Sequence, residues 1–227
     1  MKKAIPLLTL AFLFACSSDD NNADGNSKLK LKSITTIYGH SEFIYGPNGY
    51  VSEVKYKDKS SQEMDYSTLY TYDGNNVTEI IYTKDNIPFH EIKYTYNNSN
   101  ISKAEEKGDG YSVQRLYTYD SSNNIIQEDR FVNGEPDEVY MFTYQNSNVI
   151  NKTVKLGGGD TYTLSYKYDN KNNPYKNTFP DSFLKVLYEG NNNKVDVAGN
   201  VTTHVYNKDG FPTISDDKES KTTYIYY

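Results

Sequence analysis

The chain has 227 residues, with 24 Lys and Arg against 30 Asp and Glu and a formal charge of −6. An acidic chain without a basic stripe argues against nucleic acid or anionic lipid as an electrostatic partner. A hydrophobic share of 36% and a mean hydropathy of −0.79 argue against a thick two-sided core.

Lys2 and Lys3 precede an apolar run from Ala4 to Phe14. A transmembrane helix needs roughly 20 apolar residues, so the run reads as a secretory leader. It ends at Leu13-Phe14-Ala15-Cys16, which resembles the bacterial lipobox. The resemblance implies that residues 1–15 are removed and that Cys16 becomes the lipidated first residue, with membrane contact through the lipid anchor only. Cys16 is the single cysteine, so no disulfide framework is expected. Loss of Lys2 and Lys3 takes the formal charge from −6 to −8. Residues 16–27 carry no aliphatic side chain larger than Ala after Cys16 and read as a disordered tether. Within it, Ser17-Ser18-Asp19-Asp20 resembles the acidic export signal of Bacteroidota surface lipoproteins, which implies the outer face of the outer membrane.

Residues 28–227 form the expected folded unit. An aromatic–x–Tyr triplet, a polar turn and a β-branched residue recur along it. The triplets include Phe43-Ile44-Tyr45, Tyr70-Thr71-Tyr72, Tyr94-Thr95-Tyr96, Tyr117-Thr118-Tyr119, Phe142-Thr143-Tyr144 and Tyr166-Lys167-Tyr168. The second tyrosines are 27, 24, 23, 25 and 24 residues apart, a period that marks a repeat architecture. Val205-Tyr206 and Tyr224-Ile225-Tyr226 are a degenerate and a half copy. Strand side chains alternate, so both rings of a triplet share one face. Turns such as Asp73-Gly74-Asn75-Asn76 supply residues that tolerate positive φ. Each copy therefore decodes as a β-hairpin. The expected fold is all-β: an antiparallel meander of about seven hairpins with a period of about 24 residues, curled or closing into an open barrel. Lys55-Tyr56-Lys57-Asp58 and Lys103-Ala104-Glu105-Glu106 put charge on both faces of expected strands, which argues against a lipid-facing barrel.

From Tyr168 to Tyr206 the rhythm breaks. Asp181 or Ser182 can cap a short helix near 181–189, its apolar residues falling at 183, 184, 187 and 188, and Gly190 can end it. That helix is expected to plug one end of the sheet.

Tyr72-Asp73, Tyr119-Asp120 and Tyr168-Asp169 resemble the YD repeats of Rhs-type proteins, although the Gly-Arg that follows the turn in that family is missing. With Asn172-Asn173-Pro174-Tyr175-Lys176-Asn177 and the Tyr-rich C-terminus, the chain is more similar to a group of short Bacteroidota lipoproteins with YD-like hairpins. That resemblance implies a fold and a location but no activity.

His40, His90 and His204 are scattered, and no nucleophile elbow, phosphate loop or metal-spaced histidine pair occurs. No catalytic residue, cofactor or metal site is expected; Asp73 to Asn76 and Asp169 to Asn172 are oxygen-rich but lack calcium-loop spacing. Catalysis is the lesser expectation, through an unidentified carboxylate pair near Asp181 and Glu189. Rigid rows of Tyr70, Tyr72, Tyr94, Tyr96, Tyr117, Tyr119, Tyr144, Tyr166 and Tyr168 offer a candidate binding face for a glycan or a protein partner, or else the filling of a thin core. A purely structural coat role is the third alternative.

Overall fold

The computed structural model describes residues 29–227. The leader, Cys16, Ser17, Ser18, Asp19, Asp20 and the tether lie outside the described residues. Seventeen strands form one antiparallel, nearly closed, barrel-like sheet. They are β1 (Leu31–Thr35), β2 (Gly39–Tyr45), β3 (Val51–Asp58), β4 (Tyr66–Asp73), β5 (Asn76–Lys84), β6 (Ile87–Asn97), β7 (Asn100–Gly108), β8 (Tyr111–Tyr119) and β9 (Ile125–Val132). There follow β10 (Glu135–Gln145), β11 (Asn148–Leu156), β12 (Thr161–Asn172), β13 (Asn192–Val197), β14 (Asn200–Val201), β15 (Thr203–Tyr206), β16 (Pro212–Asp216) and β17 (Lys221–Tyr226). A 3-10 turn (Gln62–Met64) and one helix, α1 (Asp181–Val186), complete the described elements.

Strands pair in sequence order, and β17 returns to β1, so closure hides the edges an open meander would present. The thinnest wall lies where β14 and β15, parted by Thr202, pass β13: two register pairs and the Thr202 N–H on the Val195 carbonyl at 3.0 Å. The loops on the rim opposite the triplets are tighter than their composition suggests. Asp85-Asn86 and Asn133-Gly134 turn with both central residues at positive φ, the geometry that matches strand twist, and Ile87, Pro88, Glu135 and Pro136 lie within strands.

Each aromatic–x–Tyr hairpin carries a bulge at the same place. Tyr72 opposes Val77 and Thr71 opposes Glu79, which leaves Thr78 as the extra residue. Ser52, Ser102, Ile126, Ile150 and Thr213 hold the equivalent position. Where that residue has a hydroxyl, it donates to the carbonyl across the hairpin: Ser52 to Ile44 at 3.2 Å, Thr78 to Thr71 at 3.3 Å, Ser102 to Thr95 and Thr213 to Val205 at 3.1 Å. The bulge bends the hairpin and increases its twist. The β-branched residue after each turn points inward; Val51, Val77, Ile101 and Ile125 are fully buried.

The second tyrosine of each triplet reaches back one hairpin. Tyr72 donates to the Val51 carbonyl (2.6 Å), Tyr96 to Val77 (3.0 Å) and Tyr119 to Ile101 (2.7 Å). Tyr45 on Leu31 (2.6 Å) and Tyr226 on Pro212 (2.8 Å) do the same at the junction of the two chain ends. Tyr168 departs from the pattern. There β12 runs on to Asn172 with a shifted register against β13, and the buried Tyr168 hydroxyl has no partner.

The segment from Asn173 to Gly190 fills the rim that carries the triplet turns. Thr178 accepts the Val51 N–H at 3.2 Å, the Asn173 side chain donates to Glu189 at 2.7 Å, and Lys185 donates to the Asn123 carbonyl at 2.7 Å. Phe179, Phe183 and Val186 join the apolar cluster inside the sheet. The helix is shorter than its sequence suggests and is delimited differently. Pro180 occupies the N-cap with no side-chain bond, so neither Asp181 nor Ser182 caps it. It stops at Leu187 and Tyr188, before Gly190. Tyr188 takes φ 55°, its N–H on the Lys185 carbonyl and the Glu189 N–H on Leu184, both at 3.0 Å. That is a Schellman ending with tyrosine where glycine usually sits. Gly190 is needed for another reason: a Cβ there would lie 2.3 Å from the Asn148 Oδ1.

The tyrosine bonds make a differential prediction. Tyr119→Phe leaves the buried Ile101 carbonyl without its donor and should cost about 1–2 kcal/mol in urea unfolding. Tyr168→Phe removes a hydroxyl that has no partner and should be neutral or stabilising; equal losses in the two variants would contradict the pattern.

Candidate functional site

The nine tyrosines offered by the repeat as a binding face line the interior instead of an open surface. Eight of them, all but Tyr168, pack against the apolar cluster. Tyr70 meets Phe179 and Phe183 at ring distances of 5.2 and 6.1 Å, and Tyr94 meets Phe183 at 5.6 Å. Burial pushes the hydroxyls of Tyr70, Tyr94 and Tyr117 well above their ordinary range. These rings are the core that a chain poor in aliphatic residues uses to fill a wide lumen.

Beyond the plug the inner face becomes charged. Glu128, on β9, is 2% exposed and accepts the Tyr188 hydroxyl. Arg115 Nε lies 3.5 Å from Glu128, while its NH1 donates to Glu106 at 2.6 Å. His90 Nε2 stands 3.3 Å from the same Glu106. A second group joins Arg130 to Asp137 and Glu138, with the Tyr140 hydroxyl on Glu138. Lys152 Nζ sits over the Tyr140 ring at 3.9 Å and 5.6 Å from the Tyr188 ring centre, and its burial lowers its pKa. Burial lifts the Glu128 carboxyl to about 7 against the opposing pull of Arg115, Lys152 and Arg130.

Tyr188 links this network to the plug. Its ring stacks on Phe142 at 4.5 Å while its hydroxyl reaches Glu128. A non-glycine residue at positive φ costs about 1–3 kcal/mol; here the strained position delivers a side chain that glycine would lack. Sequence reading missed Glu128 because strict alternation from Ile125 sends it outward. The bulge at Ile126 reverses that parity, and the signal is the three-residue step between inward positions, seen also from Val77 to Ile80.

At the plugged rim a cleft of about 750 Å³ opens between the hairpin turns and the plug, with Lys30, Tyr50, Asp181, Lys185 and Glu189 among its lining. Asp181 and Glu189, beside which the sequence left room for an unidentified carboxylate pair, therefore share one cleft. Glu189 is engaged by Asn173 at 2.7 Å and Lys194 at 3.3 Å, a structural attachment of the plug. Asp169 likewise serves the fold, accepting the Tyr206 hydroxyl and the Lys171 N–H, the latter at 2.8 Å. Among the described residues no group of three His, Cys, Asp or Glu could hold a metal ion.

No described protein family matches this sequence, and neither does any curated protein. Solved structures do match. A porin-like protein from Bacteroides uniformis aligns over 87% of this chain and 98% of its own, at 10% identity and a TM-score of 0.58. The two share a fold. The TcdB2-TccC3 structure aligns over 78% of this chain and 11% of its own, at 12% identity and a TM-score of 0.36.

The position of Glu128 fixes a pH dependence. Its folded pKa is raised from 4.5 to about 7, so between those values the unfolded chain has released a proton that the folded protein keeps. The stability this carboxyl contributes at acid pH is lost as pH rises from about 4.5 to about 7, by up to roughly 3 kcal/mol. The stability of the unmodified protein relative to Glu128→Gln should fall across that window and level off above it. A difference that is flat with pH in denaturant titrations would contradict the burial of this group.

Proposed function

We propose that this chain is a cell-surface, lipid-anchored binding or scaffold protein whose barrel is a rigid body and not a conduit. The observation that carries this reading is the plug: Phe179, Phe183 and Val186 occupy the lumen among the tyrosines. The outer wall supports it. Lys93 pairs outside with Glu79 and Glu91, Lys103 with Glu105, and Thr153 with Thr163. A spanning barrel needs an outward apolar band about 25 Å tall, and these strands carry ion pairs and a hydroxyl pair on that face. This wall supports attachment through a lipid on Cys16. The B. uniformis protein is described as porin-like, which agrees with an outer-membrane setting. Asp19 and Asp20 would direct the chain to the outer face.

The plugged-rim cleft lies where the chain enters the barrel, since Lys30 is part of its lining. A partner seated there meets the protein on its tethered side, which favours a neighbouring outer-membrane protein as the partner at this rim.

Cys16→Ala should abolish palmitate labelling and leave unprocessed precursor, while the wild-type protein takes up label and enters the detergent phase of a Triton X-114 partition. Alanine at both Asp19 and Asp20 should preserve the label yet protect the protein from protease added to intact cells. An unlabelled wild-type protein, or equal digestion of both forms, refutes the anchor or the export signal respectively.

A further inference from the structure

The rim opposite the plug carries a second row of rings, from residues outside the aromatic–x–Tyr triplets. Tyr56 on β3 pairs directly with Tyr66 on β4, and Tyr82 on β5 pairs directly with His90 on β6. Gly108 on β7 pairs with Tyr111 on β8. Successive ring centres are 4.9 Å apart for Tyr56–Tyr66, 6.2 Å for Tyr66–Tyr82, 5.0 Å for Tyr82–His90 and 6.0 Å for His90–Tyr111. None of the five is fully buried, and Tyr111 is 41% exposed.

Two glycines seat the ends of the row. A Cβ on Gly39 would lie 2.5 Å from the Tyr56 ring, and one on Gly108 would lie 2.3 Å from the Tyr111 ring. Both terminal rings therefore lie against a strand that offers no side chain, one face on backbone. The row spans seven consecutive strands, from Gly39 on β2 to Tyr111 on β8. Beside it, Phe89 (53% exposed) lies 6.3 Å from Tyr82, and Met64 (60% exposed) extends the apolar rim.

The carboxylates beside the row are held by hydrogen bonds. Glu106 is held by Arg115 at 2.6 Å and His90 at 3.3 Å. Asp58 accepts the Tyr56 hydroxyl at 3.0 Å and the Ser60 N–H at 2.7 Å. A polyanion would meet the carboxylates of Asp58 and Glu106, while hydroxyls, these carboxylates and the Arg115 guanidinium stand beside the rings as hydrogen-bonding partners of a neutral ligand. Apolar rings with polar edges, tilted 33–70° from one to the next and stepped at about one sugar length, match pyranose rings, which have an apolar C–H face and a rim of hydroxyls.

We propose that the row Tyr56–Tyr66–Tyr82–His90–Tyr111 is a docking platform for a neutral hexose oligosaccharide. This deepens the binding reading above and rests on it. The test is calorimetric titration of the full chain in detergent with maltohexaose, cellohexaose, laminarihexaose and mannohexaose. At least one should bind with a Kd between about 10 μM and 1 mM. Tyr66→Ala and Tyr111→Ala, each checked for an unchanged melting temperature, should weaken that hexaose about tenfold or more. Tyr111 is 41% exposed, so its variant remains informative if Tyr66→Ala fails to fold. Tyr162→Ala, an exposed ring on β12 outside the row, should change affinity less than about twofold. Absence of binding by all four sugars at about 10 mM, or binding that ignores Tyr111, overturns the platform. Either result is distinguishable from failure of the surface-binding reading, which the palmitate and protease experiments test without any sugar.

Discussion

The fold depends on one bond, repeated: a tyrosine hydroxyl that donates to the backbone carbonyl beside the bulge of the preceding hairpin. A wide barrel poses two problems for a chain with so few large aliphatic residues. Its lumen must be filled, and its hairpins must be held at a fixed bend. Tyrosine addresses both, because the ring reaches farther into the lumen than Leu or Val and the hydroxyl still ends on a main-chain acceptor. Tyr72 on Val51, Tyr96 on Val77 and Tyr119 on Ile101 tie consecutive copies together, and Tyr226 on Pro212 continues the series through a copy that is degenerate in sequence. The period is thus preserved where the letters are not: Phe211 and Pro212 replace the β-branched residue, are just as deeply buried, and keep the carbonyl in place.

Much of this architecture was legible. The spacing of the triplets carried the hairpin period, the Asn and Gly turns carried the reversals, and the break after Tyr168 carried the plug with its short helix. The direction of the rings was left open by the sequence, since period two says which residues share a face and says nothing of which face is inside. The bulges were also hidden. One extra residue such as Ile126 reverses the parity of everything after it, and that is why Glu128 points inward and Gln127 outward. The helix ended early because Tyr188 accepted a left-handed backbone in order to reach Glu128, a tertiary demand that local propensity cannot register. The Tyr56 to Tyr111 row was missed for a different reason. Tyr56 and Tyr82 hold equivalent places after Val51 and Val77, as Tyr66 and His90 do before Tyr70 and Tyr94, but the residue types vary from copy to copy and only the strand register brings them together.

The two ends of the barrel are built by opposite means. The triplet end is closed by packing, with Phe179, Phe183 and the inner tyrosines excluding water. Toward the other rim the inner face keeps charge, and each ion is matched by neighbours on adjacent strands, as Glu106 is by Arg115 and His90. Partly buried ion pairs of this kind add little net stability, because desolvation offsets the attraction, but removing one partner is costly. They hold side chains at fixed positions, and the glycine-seated rings at the rim stand beside them.

The plug also acts as a gauge for the whole ring. Every hairpin is fastened only to its neighbours, so nothing within a single copy states how many copies there should be. The insertion from Asn173 to Gly190 touches Val51 on one side, Asn123 on another and Asn148 on a third, and these contacts can coexist at only one circumference. A chain that gained or lost a hairpin by duplication or deletion would close on a lumen its insertion no longer fits. Repeat number and insertion length are therefore a single heritable quantity in this architecture, and change in one requires change in the other.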